Sequence, residues 1–191
     1  MRASESTNSC ISAVLAGMDY VVGDFPSRNC PRGVVANMSL GSSRLQSIND
    51  AAAAMTRAGV FLAVAAGNGN IFGIPQNAAN YSPASEPSAC TVGATDNSDR
   101  VASFSNFGAL VDLYAPGVSI ASLGPGGRTN VVSSGTSMAA PHVAGLGAYF
   151  LGLDRASAGN MCSYITSLAL QGVISGVPSG TSNLLAQNGL A

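Results

Sequence analysis

Short apolar runs alternate with longer amphipathic ones along most of this chain, and that alternation narrows the folds open to it. Residues 34–40, 60–66, 90–94 and 110–114 are strand-length and mostly apolar, and Val131-Val132 is a shorter run of the same kind. Runs apolar on both faces suit strands covered on both faces. Residues 11–22 place Ile11, Val14, Leu15, Met18 and Val22 near helical spacing. Residues 47–58 read as a second helix, capped by Ser47 or Asn49 and stopped at Gly59, and 143–153 as a third. Strands alternating with helices predict an α/β fold, a mostly parallel sheet flanked by helices on both faces. Ligands of such sheets bind beyond the carboxyl ends of the strands. Ser39-Leu40-Gly41, Ala65-Ala66-Gly67-Asn68 and Ser137 all follow strand-like runs, so the fold class gathers them into one candidate site.

The length, 191 residues, suits one domain with a real core, and 47% apolar against 9% charged residues marks a globular chain. A net charge of −1 gives no electrostatic case for nucleic acid or an anionic membrane. No apolar run approaches the roughly 20 residues of a membrane helix, and residues 1–6 lack the apolar centre of a signal peptide. Cys10, Cys30, Cys90 and Cys162 form no CxxC pair, which argues against zinc or thioredoxin-like chemistry. They allow three disulfide pairings, and buried free thiols are an equal reading.

Chemistry concentrates at residues 134–145, Ser-Gly-Thr-Ser-Met-Ala-Ala-Pro-His-Val-Ala-Gly, where a strand-like run meets a helical one. Ser137 at that join serves either as a plain helix cap or as a nucleophile near the helix's positive end. The sole histidine, His142, follows it by five positions and comes directly after Pro141. Five residues at about 100° each carry it well around a helix from Ser137, so it is a poor general base. The sequence contains no lysine for a Ser–Lys pair. An α/β-hydrolase is excluded because Ser137 lies in Gly-Thr-Ser-Met-Ala rather than GxSxG, and no histidine follows His142.

The string Gly135 to Gly145 resembles the nucleophile segment of subtilisin-like serine proteases (peptidase S8 family), in their proteinase K-like branch. Further segments match in order: Ala16-Gly17-Met18-Asp19, Asn29-Cys30-Pro31, Ser39-Leu40-Gly41, Ala65-Ala66-Gly67-Asn68, residues 81–90 and Ser103-Phe104-Ser105-Asn106. The resemblance implies a secreted endopeptidase, monomeric when complete, acting on extended peptides or proteins through a Ser137 acyl-enzyme. It implies Asn68 as a side-chain donor to the oxyanion beside the Ser137 N–H; the bare residues favour an Asn-Gly turn. In subtilisin, from which the magnitude is taken, losing that donor raises the barrier by about 2.7–4 kcal/mol. Ser39, Leu40, Gly41 and Ala65, Ala66, Gly67 resemble the two substrate-lining segments, where small side chains let a peptide approach. No cofactor is implied for catalysis. Pro87, Ala89 and Asp112 match positions that bind a structural Ca²⁺, against the plainer reading of Asp112 as a solvated strand-edge carboxylate. Cys90 and Cys162 match a disulfide, and Cys30 a cysteine whose partner lies upstream of this sequence.

The resemblance also places the catalytic Asp and His upstream, so residues 1–191 are expected to be part of a subtilisin-like domain with its N-terminal strands missing. A cut at Met1-Arg2-Ala3 would fall in a central strand and expose an apolar edge. The alternative is a catalytically inactive peptide-binding or structural remnant of the same fold. Two stretches depart from the pattern: residues 69–80 form a longer loop than expected beside the pocket, and Thr7-Asn8-Ser9-Cys10 stands where a Gly-rich substrate strand is expected.

Overall fold

The computed structural model describes residues 11–189. Met1-Arg2-Ala3, Thr7 to Ser9 and Cys10 therefore lie outside the described residues. Helix α1 (Ile11–Asp24) leads to strand β1 (Val34–Met38), β2 (Ser42–Ser43), helix α2 (Gln46–Arg57) and β3 (Val60–Ala65). Then follow β4 (Tyr81–Ser82), β5 (Cys90–Thr95), β6 (Leu113–Pro116), β7 (Ile120–Ser122) and β8 (Val131–Ser133). Helix α3 (Thr136–Gly152), helix α4 (Met161–Leu168), β9 (Leu170–Gln171) and β10 (Leu184–Leu185) close the order.

The main sheet runs β1-β3-β5-β6-β10-β9. It is parallel from β1 through β10, and β9 joins antiparallel at the edge. The mostly parallel α/β sheet expected from the sequence is present. Every residue of β3 and β5 is buried, as central strands with two covered faces require. Alternate side chains of β3 serve different cores. Val60, Leu62 and Val64 pack with Met18 of α1, Ala52 and Met55 of α2 and Met38. Phe61, Ala63 and Ala65 pack with Ala140, Val143 and Ala144 of α3 and Met161 and Ile165 of α4. Gly147 lets α3 lie close to the sheet: a Cβ there would stand 2.3 Å from the Phe61 ring. The Cys90–Cys162 disulfide ties β5 to α4, with Cα atoms 5.6 Å apart, and Cys30 is exposed and makes no disulfide among the described residues.

Four boundaries differ from the sequence expectation. Neither Ser47 nor Asn49 caps α2; both lie inside it, and the cap position is Leu45. Ser82 secures that end instead, accepting from the Leu45 N–H at 2.9 Å and donating to its carbonyl at 3.1 Å. The strand expected at 110–114 is Leu113–Pro116, because a turn bonded from the Val111 N–H to the Gly108 carbonyl precedes it. Helix α3 begins at Thr136 rather than at residue 143. Val131-Val132 is no part of the main sheet; β8 pairs antiparallel with β7 as a separate exposed hairpin.

Candidate active site

Ser137 reaches the carboxyl end of the sheet without following a sheet strand directly. Residues 118–134 make an excursion after β6, and the Gly135 N–H then donates back to the Gly117 carbonyl at 2.8 Å. Gly117 itself donates to the Thr95 carbonyl at 2.9 Å. A Cβ on Gly117 would stand 2.6 Å from Ala94 Cβ and 2.9 Å from the Gly135 carbonyl oxygen, so the closure needs glycine there. The start of α3 is thereby placed beside the ends of β1 and β3.

The cap of α3 is Gly135, which has no side chain to offer. Asn68 supplies the missing acceptor from across the fold. Its Oδ1 accepts from the Thr136 N–H at 2.8 Å and from Thr136 Oγ1 at 2.9 Å. Thr136 Oγ1 in turn accepts from the Gly67 N–H at 3.1 Å. Thr136 is fully buried, so this small network orients the Asn68 amide and fastens the helix start to the end of β3. Gly67 and Gly69 take φ of 102° and 81°, whereas Asn68 is not among the residues at positive φ. The glycines make the turn, leaving the Asn68 side chain for the contact with Thr136. Thr136 carries no assignment in the sequence reading; its place beside Ser137 in Gly-Thr-Ser was the available signal.

Ser137 and Ser39 are joined twice. Ser39 Oγ donates to the Ser137 carbonyl at 2.7 Å, and Ser137 Oγ donates to the Ser39 carbonyl at 3.3 Å. The Ser137 carbonyl is open to Ser39 because its helical partner four residues on is Pro141, which has no N–H. His142 turns away: its Nδ1 lies 2.8 Å from the Met138 carbonyl oxygen, which fixes the proton on Nδ1 in this contact. The histidine is thus bonded within its own helix.

A cleft of about 190 Å³ is lined by Leu40, Gly41, Ala65, Ala66, Gly67, Asn68 and Ser137, together with Thr136 and Tyr81. The two small-residue segments, the carboxamide and the hydroxyl are therefore brought to one concavity, with Ser39 attached at its side through Ser137. Thr7 to Cys10 lie outside the described residues, so the fate of that segment is not part of this geometry.

Pro87, Ala89 and Asp112 line a second cavity, about 390 Å³, at the amino ends of β3 and β5 near Cys162. Burial pushes the Asp112 carboxyl up to about 6, against the lowering effect of the Thr91 N–H. That N–H donates to Oδ2 at 2.7 Å. Asp112 is half-buried rather than a solvated edge residue. It also lies within 4.8 Å of the sulfurs of Cys90 and Cys162. Those sulfurs are bonded to each other and offer no thiolate, so any cation here would be held by oxygen.

A parallel α/β sheet with a serine on the first turn of a helix at its carboxyl end, bonded to the preceding strand ends, is the arrangement of a subtilisin-like fold. The chain belongs to the subtilase family, whose model (peptidase S8) matches residues 9–171. It is 54% identical over 185 residues to the alkaline serine protease ver112 of Corniculantispora psalliotae, covering 97% of this chain and 47% of that protein. It is 56% identical over 178 residues to Proteinase T of Parengyodontium album, covering 93% of this chain and 58% of that protein. Among solved structures, a cold-adapted subtilisin-like serine proteinase superposes with a TM-score of 0.85 at 38% identity, covering 95% of this chain and 63% of that one. The chain thus spans roughly half the length of these two sequence relatives.

Proposed function

We propose that this chain carries the nucleophile, the oxyanion donors and much of the peptide cleft of a serine endopeptidase that hydrolyses peptide bonds through a Ser137 acyl-enzyme. The observation that carries the reading is the convergence of Ser137 and Asn68 on one cleft, with the Asn68 oxygen committed to Thr136. Because Oδ1 is occupied, the NH₂ end of the amide is the end available to an oxyanion. The Thr136 and Met138 N–H groups are engaged by Asn68 and the Gly135 carbonyl, so the Ser137 N–H between them is the backbone donor in this reading. An extended peptide would lie along residues 39–41 and 65–67, where glycine and alanine permit close backbone approach.

The sole imidazole of the sequence, His142, is turned to Met138, so in this reading it does not serve as the general base. Activity then requires an imidazole and its carboxylate partner from outside these residues. That same observation favours the second reading, a non-catalytic peptide-binding or structural protein. A fluorophosphonate probe separates the two. The chain alone should label weakly, and added free imidazole should restore labelling that Ser137→Ala abolishes. Strong labelling without imidazole would show an activated hydroxyl and refute the missing base; no labelling at high imidazole would favour the non-catalytic reading.

Asp112, with the Pro87 and Ala89 carbonyls, is proposed as a structural Ca²⁺ site. The donor set fits: a carboxylate disfavoured by burial, facing a cavity shared with two backbone segments, gains from a hard cation. The Cys90–Cys162 bridge suits an oxidising compartment, supporting an extracellular location. No helix among the described residues is long and apolar enough to cross a membrane.

A further inference from the structure

Residues 69–76 leave the cleft wall and return to it, and both ends are fastened to one side chain. Asn106, fully buried, accepts through Oδ1 from the Gly69 N–H at 3.0 Å and from the Gln76 N–H at 2.8 Å. Its Nδ2 donates to the Ala66 carbonyl at 2.9 Å. Within the loop, Asn70 Oδ1 accepts from the N–H groups of Phe72 and Ile74 at 2.9 and 3.2 Å. The Asn70 N–H donates to the Ile74 carbonyl at 2.9 Å, and the Gly73 N–H to the Asn70 carbonyl at 2.8 Å. The return is tight: a Cβ on Gly69 would stand 2.7 Å from the Ile74 carbonyl oxygen.

A loop bonded at its base and at its tip has its backbone held in place. What it holds outward is apolar: Ile71 is 93% exposed, Phe72 79% and Ile74 56%. Scattered surface apolar residues need no explanation, but three exposed ones within four residues of one braced loop mark a contact surface. The base of the loop says what it contacts. Gly69 lines the cleft beside Asn68, and Tyr81, which also lines it, donates its hydroxyl to the Gly69 carbonyl at 3.4 Å. The loop is an outgrowth of the cleft wall.

We infer that Ile71, Phe72 and Ile74 form an accessory binding site for apolar side chains of a peptide, outside the cleft that holds the backbone around the scissile bond. The inference rests on the peptide-cleft reading above. The site adds affinity for substrates that carry a large apolar residue flanking the segment in the cleft, and takes no part in bond breaking. Because the loop backbone is already bonded in place, docking of a ligand does not have to order it.

The test uses two fluorescein-labelled peptides with one core sequence, flanked by Leu and Phe in one and by Ser in the other. Anisotropy titrations are run on the full 191-residue chain and on its Ile71→Ser/Phe72→Ser variant, whose unchanged melting curve shows that the exposed substitutions leave the fold intact. The wild type should bind the apolar-flanked peptide about tenfold more tightly, and the variant should bind both peptides with the wild-type affinity for the Ser-flanked one. Retained binding without any flank preference in the wild type, or with the same preference in the variant, overturns the inference and leaves the cleft reading standing. Failure of both peptides to bind the wild type overturns the cleft reading and this inference with it. Loss in the variant of binding to phosphatidylcholine vesicles, or of a concentration-dependent dimer, with no change in peptide binding, reassigns the surface to lipid or to a second copy and overturns it too.

Discussion

Ser39 and Ser137, 98 residues apart, hold each other by a reciprocal pair of side-chain-to-carbonyl hydrogen bonds, 2.7 Å in one direction and 3.3 Å in the other. The pair exists because Pro141 withholds the N–H that would otherwise occupy the Ser137 carbonyl. A proline on the second turn of α3 therefore does more than stiffen it: it opens a carbonyl on the serine's own turn to the neighbouring strand end.

This relationship is measurable as a coupling. Ser39→Ala leaves the Ser137 carbonyl without its partner and should destabilise the chain by about 1 kcal/mol. In a Pro141→Ala background the restored N–H takes over that carbonyl, so Ser39→Ala should then be nearly neutral. Urea unfolding of the four proteins checks the cycle; equal effects of Ser39→Ala in both backgrounds would show that the proline plays no such part.

Thr136→Val should cost about 1–3 kcal/mol, since the buried Gly67–Thr136–Asn68 network loses its centre. It should also reduce imidazole-rescued labelling of Ser137, because the Asn68 amide loses one of the two hydrogen bonds that orient it and keeps only the one from the Thr136 backbone N–H. Thr136→Ser, which keeps the hydroxyl, should recover most of the labelling. A rescued rate unaltered by Thr136→Val would separate the network from the oxyanion site.

Asp112 should make stability fall with rising pH over a defined window. Its folded value, about 6, stands above the ordinary 3.8, so the folded state binds this proton more tightly than the unfolded state. Its contribution is most favourable at low pH and declines between about pH 4 and pH 6, by roughly 2–3 kcal/mol in total, solvent access lowering that figure. Asp112→Asn should flatten this part of the profile and stabilise the metal-free chain at pH 8. Ca²⁺ should raise the melting temperature at pH 8, lose that effect near pH 4.5, and leave Asp112→Asn unaffected; calorimetry at the two pH values decides it.

Removing the Cys90–Cys162 bridge, with both cysteines changed to serine, should lower stability by about 2–5 kcal/mol. The bridge closes a separation of 72 residues, long enough for the chain-entropy contribution to reach about 4 kcal/mol. Thermal melts of the double variant and of the reduced wild type should agree; a melting temperature matching the oxidised wild type would count against the bridge as a stabiliser.

The doubly buried strands β3 and β5, helices α1 and α2, and the gathering of residues 39–41, 65–68 and 137 at one end of a sheet were legible in the sequence. The elements rest on local apolar patterning, which is set by which faces must leave water; the gathering follows from the sheet type, whose ligands bind beyond the carboxyl ends of its strands. The resemblance also led to the Cys90–Cys162 pair. What periodicity could not supply was who bonds to whom across the fold. Leu45 starts α2 because Ser82 holds its backbone; Asn68 serves as the absent cap of α3; Asn106 pins both ends of the loop 69–76. Val131-Val132 looked like sheet and is an outlying hairpin, because a three-residue strand has no pattern by which to choose its partner. Composition and spacing settle what is buried, since that depends on each residue's own transfer from water. The pairing of single donors and acceptors 30 to 98 positions apart depends on register and approach, and those exist only once the chain has closed on itself.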